Sequence, residues 1–153
     1  MTEAFMKSSY VIVVGAIVEK DGKILLVQEK QPRAYGLWNT PAGWLESGEN
    51  PIDGAIREVK EETGLEIKIN GLLGIYIGRS IHDPNLTVNK IVFRASLIGG
   101  ELKIPKDELL DIKWFEPSEA LAMKDTQLRK IRKEIEDFID NKNYPIDIIR
   151  ISQ

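Results

Sequence analysis

The chain has 153 residues, 42% of them hydrophobic and 29% charged. This suits one domain, residues 1–153, able to bury about two-thirds of its unfolded surface without covalent staples. It has no cysteine and one histidine, which excludes disulfides, cysteine-ligated zinc and thiol nucleophiles. A net charge of −3 gives no global attraction to nucleic acid, so no nucleic-acid partner is expected.

In chain order, MTEAFMKSS has no basic segment followed by an apolar one, so no signal peptide is expected. YVIVVGAIV (Tyr10 to Val18) is the longest apolar run at nine residues, far short of the roughly 20 a membrane helix needs. A soluble, cytoplasmic protein without a membrane partner is expected. The run is β-branched and reads as a buried strand. Asp21-Gly22 turns it into KILLVQ (Lys23 to Gln28), a hairpin signal. Glu29 to Gly36 is a polar loop, and LWNTPAGWL is short and extended because residues before proline avoid the helical region. A helix begins near Asn50, which can cap it, with Pro51 in the first helical position and Asp53 where a capping acid would stand. Gly64 ends it as a left-handed cap. LEIKINGLLGIYIGRS and LTVNKIVFRASLIG are strands joined through HDPN, and DIKWFEP is another strand. PSEALAM is a brief helix, and QLRKIRKEIEDFID is an amphipathic helix with Leu128, Ile131, Ile135, Phe138 and Ile139 on one face. YPIDIIRI closes as a strand or docked tail. The layout is α+β, a mixed sheet with two substantial helices packed on it.

The helix after Asn50 carries the chemistry. At about 100° per residue, Ile52, Ala55, Ile56 and Val59 share its core face, while Glu58 and Glu62 lie at one border with Glu61 next and Arg57 beyond. Three carboxylates at a helix C-terminus repel one another and oppose the helix dipole. Gly54 in mid-helix costs up to about 1 kcal/mol relative to alanine. Local rules broken together point to a functional site. A bound divalent cation turns the repelling acids into an oxygen cage. All-oxygen ligands suit Mg²⁺ or Mn²⁺ over Zn²⁺ or Cu²⁺, and Mg²⁺ completes its shell with water and substrate phosphates. The competing reading is a solvated acidic face relieved by Arg57 and Lys60.

Gly43, Glu49, Arg57-Glu58-Val59, Glu61-Glu62 and Gly64-Leu65 stand at the spacing of the Nudix box, and the chain resembles that family over most of its length. The resemblance implies a Nudix-type α/β/α sandwich with a mixed β-sheet and a catalytic loop-helix. It implies hydrolysis within the pyrophosphate of a nucleoside diphosphate derivative. Glu58, Glu62 and Glu61 would serve as metal ligands or metal-water partners, Gly43 would offer its carbonyl, and Glu49 would pair with Arg57. One departure is Ala42, where many members have glycine. Some relatives place a further glutamate six residues before the strand tryptophan. Glu108 stands there relative to Trp114, as a base, a ligand or a surface acid, with Asp107 and Asp111 as rivals.

Weaker signals stay open in both directions. Arg33 could meet a phosphate or face water. Tyr35, Trp38 and Phe93 could stack on a base or pack in the core or its rim. Asn39 could read a base edge or organise the turn before Pro41. His82 reads as a polar loop residue, and RKIRK (Arg129 to Lys133) as a solvated face. LWNTPAG and YPIDII are similar to bacterial Nudix phosphatases acting on nucleoside di- and triphosphates and thiamine-precursor pyrophosphate. A MutT-like activity on oxidised nucleotides, and ADP-ribose or a dinucleotide, are the other substrate readings. The alternative to an enzyme is a non-catalytic nucleotide-binding module or sensor of the same fold. Whether the chain pairs as a homodimer is left open.

Overall fold

Strands β1 (Ser9–Lys20) and β2 (Lys23–Glu29) form the expected hairpin. Its turn holds Asp21 and Gly22 at φ of 51° and 79°, the region an Asp-Gly turn favours. This is a computed structural model and describes residues 9–152; all but Ser9 of the leading stretch read above for a signal peptide lies outside the described residues.

Beyond the turn the hairpin splays. β1 and β2 are in register at Glu19 with Ile24 and Lys20 with Lys23. Farther along, two short strands fill the gap between them. β3 (Trp38–Asn39) pairs with the end of β2, and β4 (Ala42–Trp44) pairs antiparallel with Val13 to Gly15 of β1. The long strands β5 (Leu65–Arg79) and β6 (Leu86–Gly100) pair antiparallel. β6 runs parallel to β1 from Ser9–Leu86 to Glu19–Ser96. β7 (Leu109–Phe115) takes the other edge of β2, completing a mixed seven-stranded sheet.

Among the described residues three α-helices cover it: α1 (Pro51–Thr63), α2 (Pro117–Leu121) and α3 (Arg132–Ile139). Strand alternation sorts the core into two layers. Leu25 and Val27 of β2 pack with Ala55 and Val59 of α1. Ile24 and Leu26 face the other way, with Ala120 of α2, Ile131 just before α3, and Ile135 and Phe138 of α3. Both sheet faces are thus covered, which is the α/β/α sandwich of the α+β class.

Several expectations are corrected. The helix foreseen from Gln127 begins only at Arg132, because the Trp38 amide donates to the Gln127 carbonyl and the Arg129 amide to the Trp38 carbonyl, both at 2.8 Å. A backbone engaged with a strand cannot also bond within a helix. Ile139, placed on the buried face, is 42% exposed at the helix end. RKIRK is a solvated face only at Lys130 and Lys133: Arg129 pairs with Glu29, and Arg132 donates to the Leu121 and Met123 carbonyls. The outer end of the first strand is exposed at Tyr10 and Ile12, since α1 covers only its inner half. The ending is a docked tail, with Tyr144 bridging Leu72 and Ile146 and Ile149 on the core.

Gly15 decides how closely β4 approaches β1. A Cβ there would overlap the Pro41 carbonyl oxygen and the Ala42 side chain, and the Ala16 amide donates to that carbonyl at 3.3 Å. Gly15→Ala is therefore expected to destabilise the protein by about 1–3 kcal/mol, the scale of overpacking. Gly78→Ala, with open space around its Cβ, should change stability by no more than about 0.5 kcal/mol. Urea unfolding of the two variants beside the parent measures this.

Candidate functional site

Helix α1 starts and stops where its sequence directs. The Asn50 side-chain oxygen accepts from the Ile52 amide at 2.8 Å, Pro51 opens the helix, and Gly64 closes it at φ 78°. Its amide donates to the Lys60 carbonyl at 2.9 Å, and the Lys60 ammonium bonds the Gly64 carbonyl at 3.1 Å. That cation offsets part of the dipole opposed by the neighbouring acids. Gly54 has a packing reason: a Cβ there would press on Leu45, Glu49 and Val14. The loop before α1 lies directly across this helix face.

Arg57 ties the loop to the helix. Its Nε and Nη2 grip the Glu49 carboxylate at 2.7 and 2.8 Å. Nη2 also donates to the Trp44 carbonyl at 3.1 Å, while Nη1 donates to Glu58 at 2.8 Å and to Glu61 at 3.2 Å. A bidentate guanidinium–carboxylate pair is both strong and directional. This bond to Arg57 holds the Glu49 carboxyl down at about 2, and the Glu49 pair in turn raises the Arg57 guanidinium.

The remaining carboxylates face an open cleft of about 580 Å³ between the end of β2, β4, α1 and the turn before β7. Glu58, Glu61 and Glu62 line it from α1, Glu29 from β2, and Asp107 and Glu108 from the facing turn. Of the rivals for the last position, Asp111 is not part of the lining and instead accepts from the Ile112 amide. Glu62 accepts from the Ala42 amide at 2.9 Å. Burial pushes its carboxyl up to about 8, against that hydrogen bond, and the charges of Glu58, Glu29 and Glu108 add to the rise. Burial also raises Glu58, against the pull of Arg57. Gly43 lies against the Glu58 carboxylate, which a Cβ at that position would overlap.

The donor chemistry fits a hard divalent cation. Two desolvated carboxylates crowd one cleft without a full counter-charge, and a glycine leaves backbone bare beside them. Among the described residues no three His, Asp or Glu side chains are already gathered into a cluster that could hold an ion. Glu61 turns to Arg57 and is 58% exposed, so the three-carboxylate cage foreseen from the sequence is not preassembled. Mg²⁺ needs only one or two carboxylates beside water and phosphate oxygens.

Residues suggested for substrate recognition fare differently. Phe93 is corrected to a core residue, fully buried among Val14, Leu25 and Val59. Asn39 has both ends of its amide engaged, donating to Glu29 at 3.2 Å and accepting from Lys90 at 3.4 Å, which corrects the base-reading role. Arg33 meets the carbonyls of Ile81 and His82 at 3.2 and 2.7 Å, fastening two loops rather than waiting for phosphate. His82 contributes that carbonyl and is not part of the cleft lining. Trp38 packs edge-on against Phe115 with ring centroids 4.9 Å apart, while Tyr35 is 62% exposed; neither lines the cleft. Sequence reasoning missed Glu29, which it left in a polar loop. Nothing local marks that residue as the last one of a strand, 8% exposed and facing the carboxylates.

A sequence model of the NUDIX domain matches residues 9–138. The chain is 44% identical over 96 residues to an ADP-ribose pyrophosphatase of Methanocaldococcus jannaschii, covering 63% of this chain and 56% of that one. It is 35% identical over 109 residues to an 8-oxo-dGDP phosphatase of Homo sapiens, covering 69% and 32% respectively. The chain thus spans about a third to just over half of the length of these curated relatives. Among solved structures, a NUDIX hydrolase from Nitrosomonas europaea superposes with a TM-score of 0.82 at 31% identity, covering 94% of this chain and 98% of that one.

The site's carboxylates set opposite pH dependences on stability. Between about 4.5 and 8 the folded protein holds a proton on Glu62 that the unfolded chain has released, so cation-free stability falls as pH rises through that window. Glu49 is depressed instead; its contribution is present above about 4.5 and lost as pH falls toward 2. In EDTA, Glu62→Gln should flatten the decline between pH 5 and 8 and melt several degrees above the parent at pH 8. Melting curves across that range check it; an unchanged slope would contradict the buried-carboxyl account.

Proposed function

Because this chain belongs to the Nudix family, we propose that it is a cation-dependent hydrolase of phosphoric anhydride bonds in small nucleoside diphosphate or triphosphate derivatives. The observation that carries this reading is the pair Glu58 and Glu62, desolvated in one cleft while Arg57 and Glu49 pin the loop beside them. Raised carboxylates without a full counter-charge are what a site for a cation and phosphate would contain before either arrives.

Glu58, Glu62 and the Gly43 carbonyl would hold Mg²⁺ or Mn²⁺, with Glu61 joining through water. When bound, the cation neutralises pyrophosphate charge and lowers the barrier to attack by water. The protein's own part is placement. The Ala42 amide fixes one oxygen of Glu62, leaving the other free to point into the cleft. Arg57 sets the distance between α1 and the loop, so that the Gly43 backbone stays beside Glu58. Glu108, exposed on the facing turn, is the proposed acceptor for the proton of the attacking water. Water oxygen bonds phosphorus, the bridging P–O bond breaks, and the leaving phosphate departs with its electron pair. The archaeal and human relatives direct the first substrates to test toward ADP-ribose and 8-oxo-dGDP. A small nucleotide or pyrophosphate is the partner this cleft would take.

Phosphate-containing products should appear from at least one of ADP-ribose, 8-oxo-dGDP, dGTP or a thiamine-precursor pyrophosphate with Mg²⁺ or Mn²⁺, and none in excess EDTA. Turnover unaffected by EDTA would overturn the cation dependence, whereas absence of turnover with every substrate in a folded protein that binds them would favour the non-catalytic binding module. Glu62→Gln should lower kcat by about 10³-fold or more while keeping the fold, a loss of about 4 kcal/mol in transition-state stabilisation. Circular dichroism with steady-state kinetics reads both, and a folded variant within tenfold of the parent would remove Glu62 from the ligand set.

A further inference from the structure

We infer that the part-buried Lys90–Glu134 ion pair is a positioning device for the cation site, acting through Thr40 on the segment that carries Ala42 and Gly43. The inference rests on the proposed function and adds residues outside the box to it.

Lys90 stands in β6, in register with Val13 of β1 and Tyr76 of β5, and its ammonium meets Glu134 of α3 at 3.0 Å. Glu134 is 1% exposed. The Lys90 side chain keeps 13% exposure, but a carboxylate so far from water is costly to desolvate, and such a pair is a weak source of stability compared with apolar packing. In some proteins such a pair specifies geometry instead, and the geometry it contacts here is that of Thr40. This residue is fully buried; its hydroxyl donates to Glu134 at 3.0 Å and accepts from Lys90 at 2.6 Å. Both hydrogen-bonding directions of one side chain are thereby used, which leaves it a single orientation.

Two residues on, the Ala42 amide donates to Glu62, and the next residue, Gly43, lies against the Glu58 carboxylate. The same ammonium donates to the side-chain Oδ1 of Asn39, whose Nδ2 then donates to Glu29 in the cleft wall. The pair therefore sits behind the cleft and fastens the segment that presents its backbone to the carboxylates. A displacement of well under 1 Å at Thr40 would loosen the Ala42–Glu62 hydrogen bond and shift the Gly43 carbonyl together, the scale on which supporting shells decide cation affinity.

Thr40→Val keeps the shape and removes both hydrogen bonds, leaving Lys90 and Glu134 paired with each other. A second variant, Lys90→Met with Glu134→Leu, removes both charges together and avoids stranding one of them. Mn²⁺ alone, titrated into each protein and followed by loss of the free-ion EPR signal, reads cation affinity without turnover. Both variants should bind Mn²⁺ about 10- to 100-fold more weakly, and kcat should fall while KM stays within a few-fold. If the folded variants melt lower but bind Mn²⁺ as the parent does, the network serves stability alone and the inference is overturned. If the parent itself binds no Mn²⁺, the proposed function fails first. If Thr40→Val does not fold, the double variant decides.

Discussion

The site depends on one interaction, the grip of Arg57 on Glu49. Everything between Trp44 and Asn50 is loop, joined to α1 chiefly through this guanidinium, which also holds the Trp44 carbonyl and reaches Glu58 and Glu61. A planar fork with five donors can bind a carboxylate with two of them and still serve three other acceptors; an ammonium cannot. Gly54 makes the arrangement possible from the other side, because a methyl there would push against Leu45 and Glu49. The residue that weakens the helix by local propensity is the one that lets the loop lie on it.

The sheet supplies the frame. A hairpin whose strands stayed paired would leave no place for β3 and β4. The splay of β1 and β2 opens a wedge, and the segment from Trp38 to Trp44 fills it with backbone hydrogen bonds to both sides. Gly15 permits the close approach, Lys90 and Glu134 fix Thr40 from behind, and Glu62 meets Ala42 in front. The segment is thus specified by packing, by a part-buried charge pair and by the site itself, three constraints of different physical kinds.

These constraints hold carboxylates where they are electrostatically uncomfortable. Burial raises Glu58 and Glu62, while Glu49, bonded to Arg57, is lowered. Two environments on one loop and helix divide like side chains into one paired with a guanidinium and two raised by burial. The helix dipole and mutual repulsion at the end of α1 work in the same direction. On the proposed function, the balancing charge of the acid-rich helix end would lie outside the polypeptide, which would account for a pattern that local rules disfavour.

By itself the sequence determined what depends on neighbours a few residues away. The Asp21-Gly22 turn, the Asn50 and Gly64 caps, the apolar stripe of α1 and the acids on its border follow from φ preferences, capping and a 3.6-residue period. The box spacing was equally legible because its members lie within one loop and one helix. Only the tertiary structure decided what depends on distant partners. Arg129 and Leu128 looked helical, yet Trp38, far away in the chain, takes their backbone into a strand bridge. Phe93 and Asn39 were open to either a binding or a structural role, and the fold makes one core and binds the other at both ends. Glu29, Lys90 and Glu134 carry no local signal, since a lone charged residue reads as surface until the fold buries it beside its counter-charge. Periodicity and capping are written in consecutive residues; which charges meet across 44 or 100 positions of chain is set by the path of the sheet.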